Sequence, residues 1–258
     1  MELHRSKDLD IVEFLNLGRS IGAVFGQGAL VVAARDGMHV SRLAKRAVVI
    51  GIAYGGTSVL DLRLAPELLV NFNIGRGNGD AGIYVKYGSE GVRVNFYARE
   101  SQEERGRRIL QFLKGGEFPH VDLAGFGDIN VYPNAVEDYV RATHKKVSFL
   151  KGYKALVDCR NSPIALLALP MFESYGMRVS LFNDSMATYQ EPKPKEEFLR
   201  RFGDGGFDLG IRLLEGTTEL HRPGGVVEEY EDLEALLKRL RPETPQGGQV
   251  PGVPARPP

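Results

Sequence analysis

Cysteine is nearly missing from this chain. Cys159 stands alone among 258 residues, so neither an internal disulfide nor a cysteine-based zinc site can form. Such usage suits a reducing compartment. Net charge is missing as well: 33 basic and 33 acidic side chains cancel, and the pI lies near 7.0. That balance removes any general attraction to nucleic acid or anionic lipid. Long hydrophobic runs are also absent. The most apolar stretch, from Ile21 to Ala34, is too short to span a bilayer and contains Gln27. The opening "MELHRSKDLD" lacks the apolar segment of a signal peptide. A cytoplasmic protein is expected, with no nucleic-acid partner and no membrane association. No Walker-type phosphate loop occurs, so nucleotide hydrolysis has no cradle.

What remains is an α/β pattern. "ALVVAARD" (29–36) is the short apolar run of a buried strand, and "SRLAKRAVVIGIAY" (41–54) places Leu43, Ala44, Ala47, Val48, Gly51 and Tyr54 on one helical face. "TSVLDLRLA" reads as a strand, and Pro66 starts a helix in "PELLVNFNI". This β-α-β-α order predicts parallel strands with right-handed crossovers. "AGIYVKY" and "VRVNFYA" form a strand pair around "YGSEG". Ser101 and Glu104 are expected as a capping box on a helix ending at Gly115-Gly116. A turn-rich connector follows, with a bridging helix in "AVEDYVRATH". A second α/β cycle opens with "YKALVDC", a helix started by Ser162-Pro163 and interrupted at Pro170, then "MRVSLFN", "PKEEFLRRFGDGG" and "FDLGIRLLE". A last helix carries the stripe Leu233, Leu236, Leu237 and Leu240. Residues 241–258, rich in proline and glycine, are expected to be disordered.

Most motif matches have plain structural readings. Gly77, Gly79 and Gly82 fit G-x-G-x-x-G, but they follow a helix and precede a strand, the reverse of a dinucleotide site; a turn is expected. Five dispersed histidines share no ligand spacing. His39, Asp36 and Ser41 form a nucleophile-and-base trio on paper, yet Ser41 or Asp36 serves equally as a helix cap. Glu215 and Glu219 alone are too few oxygen ligands for a cation.

In order and wording, the segments "VVAARDGMHVSRLAKRAVVIGIAYGG", "TSVLDLRLAPELLVNF", "GDAGIYVKYGSEGVRVNFY", "YKALVDCRNS", "ESYGMRVSLFND", "YQEPKPKEEFL" and "FDLGIRL" resemble the α-D-phosphohexomutases, the family of phosphomannomutases, phosphoglucomutases and phosphoglucosamine mutases. The likeness covers residues from about 15 to 225 and corresponds to the first two of that family's four domains. It implies two consecutive α/β/α domains with mixed, mainly parallel sheets, at 1–145 and 146–240, followed by the disordered tail.

The resemblance also implies a chemistry: a phosphoserine in a "TASHNP"-type loop, and magnesium held by three aspartates in a "DGDADR" loop. This chain departs from both. Gly88 takes the serine position and Ser89 follows it, so Ser89 is the candidate phosphoserine. Leu214, Gly216 and Thr218 stand where the aspartates would, and Glu219 where the arginine would. Asp208, ahead of the loop, reads as structural. Met38 replaces a phosphate-facing arginine. The family's third and fourth domains have no counterpart in the sequence. The expectations are therefore no cofactor, and a truncated homologue without autonomous mutase activity that serves as a binding or structural subunit. Its expected partner is another protein or a second copy, and a sugar phosphate is the expected small ligand. The alternative is a half-enzyme that uses Ser89 and is completed by a partner chain.

Overall fold

The computed structural model describes residues 1–143, 150–186, 191–214 and 216–240. The expected tail, 241–258, lies outside these described residues. The chain divides into two compact units, the first built on Met1–Thr143 with Asn161–Leu167 added to it.

The first unit runs β1 (Glu2–Ser6), α1 (Ile11–Phe25), β2 (Leu30–Arg35), α2 (His39–Tyr54), β3 (Ser58–Leu64), α3 (Leu68–Gly75), β4 (Ala81–Gly88), β5 (Gly91–Ala98), α4 (Gln102–Gly115), β6 (Ile129–Val131) and α5 (Ala135–Thr143). Its sheet has six strands in the order β1-β5-β4-β2-β3-β6. The expected parallel pairs are present: β2 lies between β3 and β4, parallel to both, and β6 extends the parallel half. β5 and β1 add the antiparallel edge. Side chains alternate across β2, because successive strand residues point to opposite faces. Val31 and Ala33 join Phe14, Ile21, Val48, Ile52 and Phe96 on one face. Val32 and Ala34 join Leu69, Val70, Tyr84 and Tyr139 on the other. Burial on both faces explains why β2 reads as an unbroken apolar run.

The helix α1 was not expected. It starts where Asp10 accepts hydrogen bonds from the amides of Val12 (2.9 Å) and Glu13 (3.3 Å), and stops at Gly26, whose φ is 70°. Two Gly-x-x-x-Gly pairs, Gly18/Gly22 on α1 and Gly51/Gly55 at the end and C-cap of α2, let the backbones touch. A Cβ on Gly22 would lie 2.6 Å from the Ile52 carbonyl oxygen, and one on Gly51 would overlap the Leu15 carbonyl oxygen. Thr57 Oγ1 ties off the end of α1 by donating to the carbonyls of Gly22 (3.1 Å) or Gly26 (2.8 Å). The expected capping box at α4 does not form. Ser101 adopts left-handed backbone angles (φ 52°, ψ 38°), which aim its hydroxyl away from the first turn, and Gln102 Oε1 instead accepts from the Ala98 amide at 3.2 Å.

The second unit contributes β7 (Lys154–Asp158), α6 (Ala165–Ser174), β8 (Arg178–Phe182), α7 (Lys195–Asp204), β9 (Leu209–Leu214), β10 (Thr217–Arg222), β11 (Val226–Tyr230) and α8 (Leu233–Leu240); the first residues of α6 group with the first unit. Its five-stranded sheet has the order β11-β10-β9-β7-β8, parallel at β9-β7-β8 and antiparallel at β11-β10-β9. Leu156, Phe182 and Phe198 anchor its aromatic core, with Phe202 and Phe207 against them. Ser162 Oγ accepts from the Ile164 amide at 3.2 Å ahead of α6, as expected, and Pro170 lies inside that helix. Both units are therefore α/β with mixed sheets. Among the described residues, no helix is long and apolar enough to cross a membrane.

Candidate functional site

In the first unit, the position expected to carry a reactive loop is a plain hairpin. β4 and β5 pair without interruption from Ala81↔Ala98 to Gly88↔Gly91, leaving only Ser89 and Glu90 as the turn. Ser89 is exposed at its tip. Gly91 (φ 102°) permits the close approach of β1, because a Cβ there would overlap the Ser6 carbonyl oxygen. Beside Ser89, Glu90 pairs with Arg5 and with Arg93 (3.0 Å). The turn thus holds no histidine, and its one carboxylate, Glu90, is engaged by Arg5 and Arg93.

The trio at residues 36–41 does not form a catalytic group. Asp36 Oδ2 accepts the Tyr87 amide (2.7 Å) and Oδ1 the Met38 amide (3.0 Å), so one carboxylate ties the end of β2 to β4 and to the start of α2. Burial pushes its pKa up, while those amides hold it back. His39 is exposed and Ser41 buried. Met38 is the N-cap of α2, and no side chain caps that helix directly. Gly77 and Gly79 lie between α3 and β4, as the turn reading expects, and Gly82 is the second residue of β4. A pair the sequence did not reveal lies at the middle of β3: Lys45, 4% exposed, is held by Asp61. Burial lowers the lysine pKa, and Asp61 opposes that shift. Asp61 also accepts the Arg63 amide at 2.7 Å across a bulge where Arg63 is left-handed, with φ 60°.

In the second unit, three neighbouring strands carry a row of alternating charge. Asp158 on β7 is the register partner of Arg212 on β9, and Arg212 is the partner of Glu219 on β10. Arg212 Nε donates to Asp158 Oδ2 at 3.2 Å, and its NH1 group donates to Glu219 Oε2 at 2.9 Å. Lys195 from α7 (3.0 Å) and His221 (2.9 Å) converge on the same Glu219 oxygen. Asp158 is completely buried, and its Oδ1 accepts from Asn183 Nδ2 (2.8 Å) and the Arg160 amide (3.1 Å). Burial works to raise the Glu219 pKa, but hydrogen bonds from Lys195, His221 and Arg212 outweigh it and hold the group at about 2. Leu214 ends β9, Gly216 turns with φ 77°, and Thr218 is buried on β10 opposite Leu213. Glu215 lies outside the described residues. Asp208 accepts the Lys154 amide at 2.8 Å, a contact that joins β9's approach to β7.

Comparison with known proteins now bears on these strand ends. The family model described as phosphoglucomutase/phosphomannomutase, alpha/beta/alpha domain I, matches residues 5–90. The phosphoglucosamine mutase of Methanocaldococcus jannaschii is 25% identical over 185 residues, covering 67% of this chain and 40% of its own length. The probable phosphoglucosamine mutase of Thermococcus gammatolerans is 26% identical over 246 residues, covering 86% of this chain and 52% of that protein. The chain is thus similar to phosphoglucosamine mutases, and its residues 5–90 match the family's first domain. It spans about half the length, or somewhat less, of these curated relatives. A phosphoglucomutase/phosphomannomutase family protein from Burkholderia thailandensis shares its fold, with a TM-score of 0.68 at 17% identity over 84% of this chain and 52% of that one. At that identity the likeness speaks for the fold alone.

The similarity to these relatives corrects one expectation. That no cofactor is to be looked for does not stand, because the relatives are phosphoglucosamine mutases, from the family whose chemistry the resemblance ties to magnesium. Magnesium is accordingly the ion to test against the residues present. The described residues at the corresponding positions do not fit it: Leu214 and Gly216 offer no side-chain oxygen, and Thr218 is buried in a strand. Among the described residues, no three of His, Cys, Asp and Glu stand together as donors. The carboxylates nearby, Asp158 and Glu219, already face Arg212. Two signals in the sequence could have revealed this row: an arginine inside the apolar strand "LGIRLL", and Glu219 and His221 spaced two apart in "TTELHR".

Proposed function

We propose that this phosphohexomutase-family protein has no mutase activity of its own and acts as a cytoplasmic binding or structural subunit, with domains at 1–145 and 146–240. Its partner is another protein or a second copy, and a sugar phosphate is the small ligand suited to the inherited fold. The observation that carries this reading is the β9–β10 hairpin. Phosphoryl transfer needs an electrostatic site left open for charge that develops during reaction. Here Arg212 is closed between Asp158 and Glu219, so its charge is matched before any ligand arrives. The short β4–β5 turn supports the same conclusion, because it presents Ser89 beside a single carboxylate, Glu90, that Arg5 and Arg93 already engage.

The test is conversion of glucosamine, glucose and mannose 6-phosphates to their 1-phosphates, with magnesium and a hexose bisphosphate primer. No turnover is expected from the purified chain. Turnover that disappears in Ser89→Ala would overturn the proposal. One observation favours the half-enzyme alternative, the exposure of Ser89. That alternative requires a phosphate on Ser89, and intact mass measured after incubation with primer reads it directly.

A further inference from the structure

A second feature of the first unit lies at the other end of its sheet from Ser89. Ala29 and Asp80 stand just ahead of β2 and β4, and beside them opens a cavity of about 320 Å³. Phe25, Gly28, Ala29, Asp80, Arg105 and Arg108 line it. The two arginines lie one turn apart on α4 and so share a face. Arg105 stacks over the Phe25 ring at 4.8 Å, and Phe25 rests 6.1 Å from Phe96, which is fully buried. That stacking fixes the guanidinium plane. Asp80 is fixed as well: its amide donates to the Leu30 carbonyl at 2.8 Å, and its Oδ2 accepts from the Leu30 amide at 3.0 Å. Its second oxygen, Oδ1, accepts no hydrogen bond among the described residues, and neither Arg105 nor Arg108 has a carboxylate partner there.

Unlike the charges around Arg212, these are not matched within the fold. Two guanidinium groups suit a dianion better than a single carboxylate, and the pinned carboxylate of Asp80 suits an ammonium group. The aromatic floor and the exposed Gly28 backbone (φ 84°), where a Cβ would meet nothing within 4 Å, leave room for a compact organic body. We infer that this cavity binds a small zwitterion carrying a phosphate group at one end and a protonated amine at the other. Arg105 and Arg108 take the phosphate, and Asp80 Oδ1 takes the amine. The site needs no chemistry at Ser89 or at the β9–β10 hairpin, so it stands apart from the proposed function.

The experiment is a titration of the full, isotope-labelled chain with O-phosphoethanolamine and, separately, inorganic phosphate, followed by amide chemical shifts. Saturable shifts at Gly28, Ala29 and Arg105 are expected. O-phosphoethanolamine should bind more tightly than phosphate, by up to about fivefold, the most that one solvent-facing ion pair supplies. Asp80→Asn, which keeps an oxygen for the Leu30 amide, should remove that preference. Arg108→Glu, an exposed substitution that leaves the Arg105–Phe25 stack alone, should abolish saturation with both probes. Absence of saturable shifts at these amides, equal affinity for the two probes, or binding unchanged by Arg108→Glu would each overturn the inference.

Discussion

Replacing Arg212 with methionine isolates the charge row in the second unit. Arg212 is 5% exposed and Asp158 is completely buried, so water cannot easily take over when the cation is removed. Breaking a buried pair by deleting one partner costs about 3–5 kcal/mol, because the surviving charge is left uncompensated. Here the lower end applies. Asp158 keeps Asn183 Nδ2 and the Arg160 amide, and Glu219 keeps Lys195 and His221. A loss of about 3 kcal/mol, at a urea slope of about 2–3 kcal/mol/M, lowers the unfolding midpoint by about 1 M or slightly more. Urea unfolding followed by circular dichroism reads that shift. Adding Asp158→Leu to Arg212→Met removes the orphaned charge as well, and should return a large part of the loss. A single-variant shift below about 0.3 M would refute the reasoning, since it would mean that the row is solvated like a surface pair worth about 1 kcal/mol or less.

Three further outcomes follow from other contacts. Gly51→Ala forces a Cβ into the Leu15 carbonyl oxygen at the α1–α2 crossing, and should lower stability by about 1–3 kcal/mol in thermal or chemical unfolding. Acid stability has a definite sign at Glu219, whose folded pKa of about 2 lies below the ordinary 4.5. Its contribution is fully present above pH 4.5 and is lost as pH falls from there through about 2, so Glu219→Gln should flatten the stability profile across that window. Thr57→Val removes the hydroxyl that closes the end of α1, and should cost about 1 kcal/mol, seen as faster amide exchange at Gly26 and Thr57.

The sequence made the central strands legible for a physical reason. β2 is buried on both faces and therefore reads as an apolar run, and α2 presents one apolar stripe between glycine signals. The helix α1 was hidden because Gly18, Gly22 and Gly26 look like breaks, whereas Gly18 and Gly22 are the points of helix contact and only Gly26 is an end. β10 and β11 carry no strand signal of their own because Gly216, Gly224 and Gly225 flank them, and each adopts a positive φ at a hairpin turn. Ser101 shows the limit of local capping rules: its residue type is right, but the backbone enters the helix from the left-handed region. At the candidate sites, the sequence alone shows that Leu214, Gly216 and Thr218 carry no carboxylate. The cross-strand register that brings Arg212 to Asp158 and Glu219 could not be, because register belongs to pairing between segments distant in the chain.

The most direct measurement of the central claim is a coupled mutase assay on the purified chain with hexosamine and hexose phosphates, bisphosphate primer and magnesium. The charge-matched hairpin predicts no primer-dependent interconversion of 6- and 1-phosphates. Steady turnover that requires magnesium and vanishes on Ser89→Ala would contradict it.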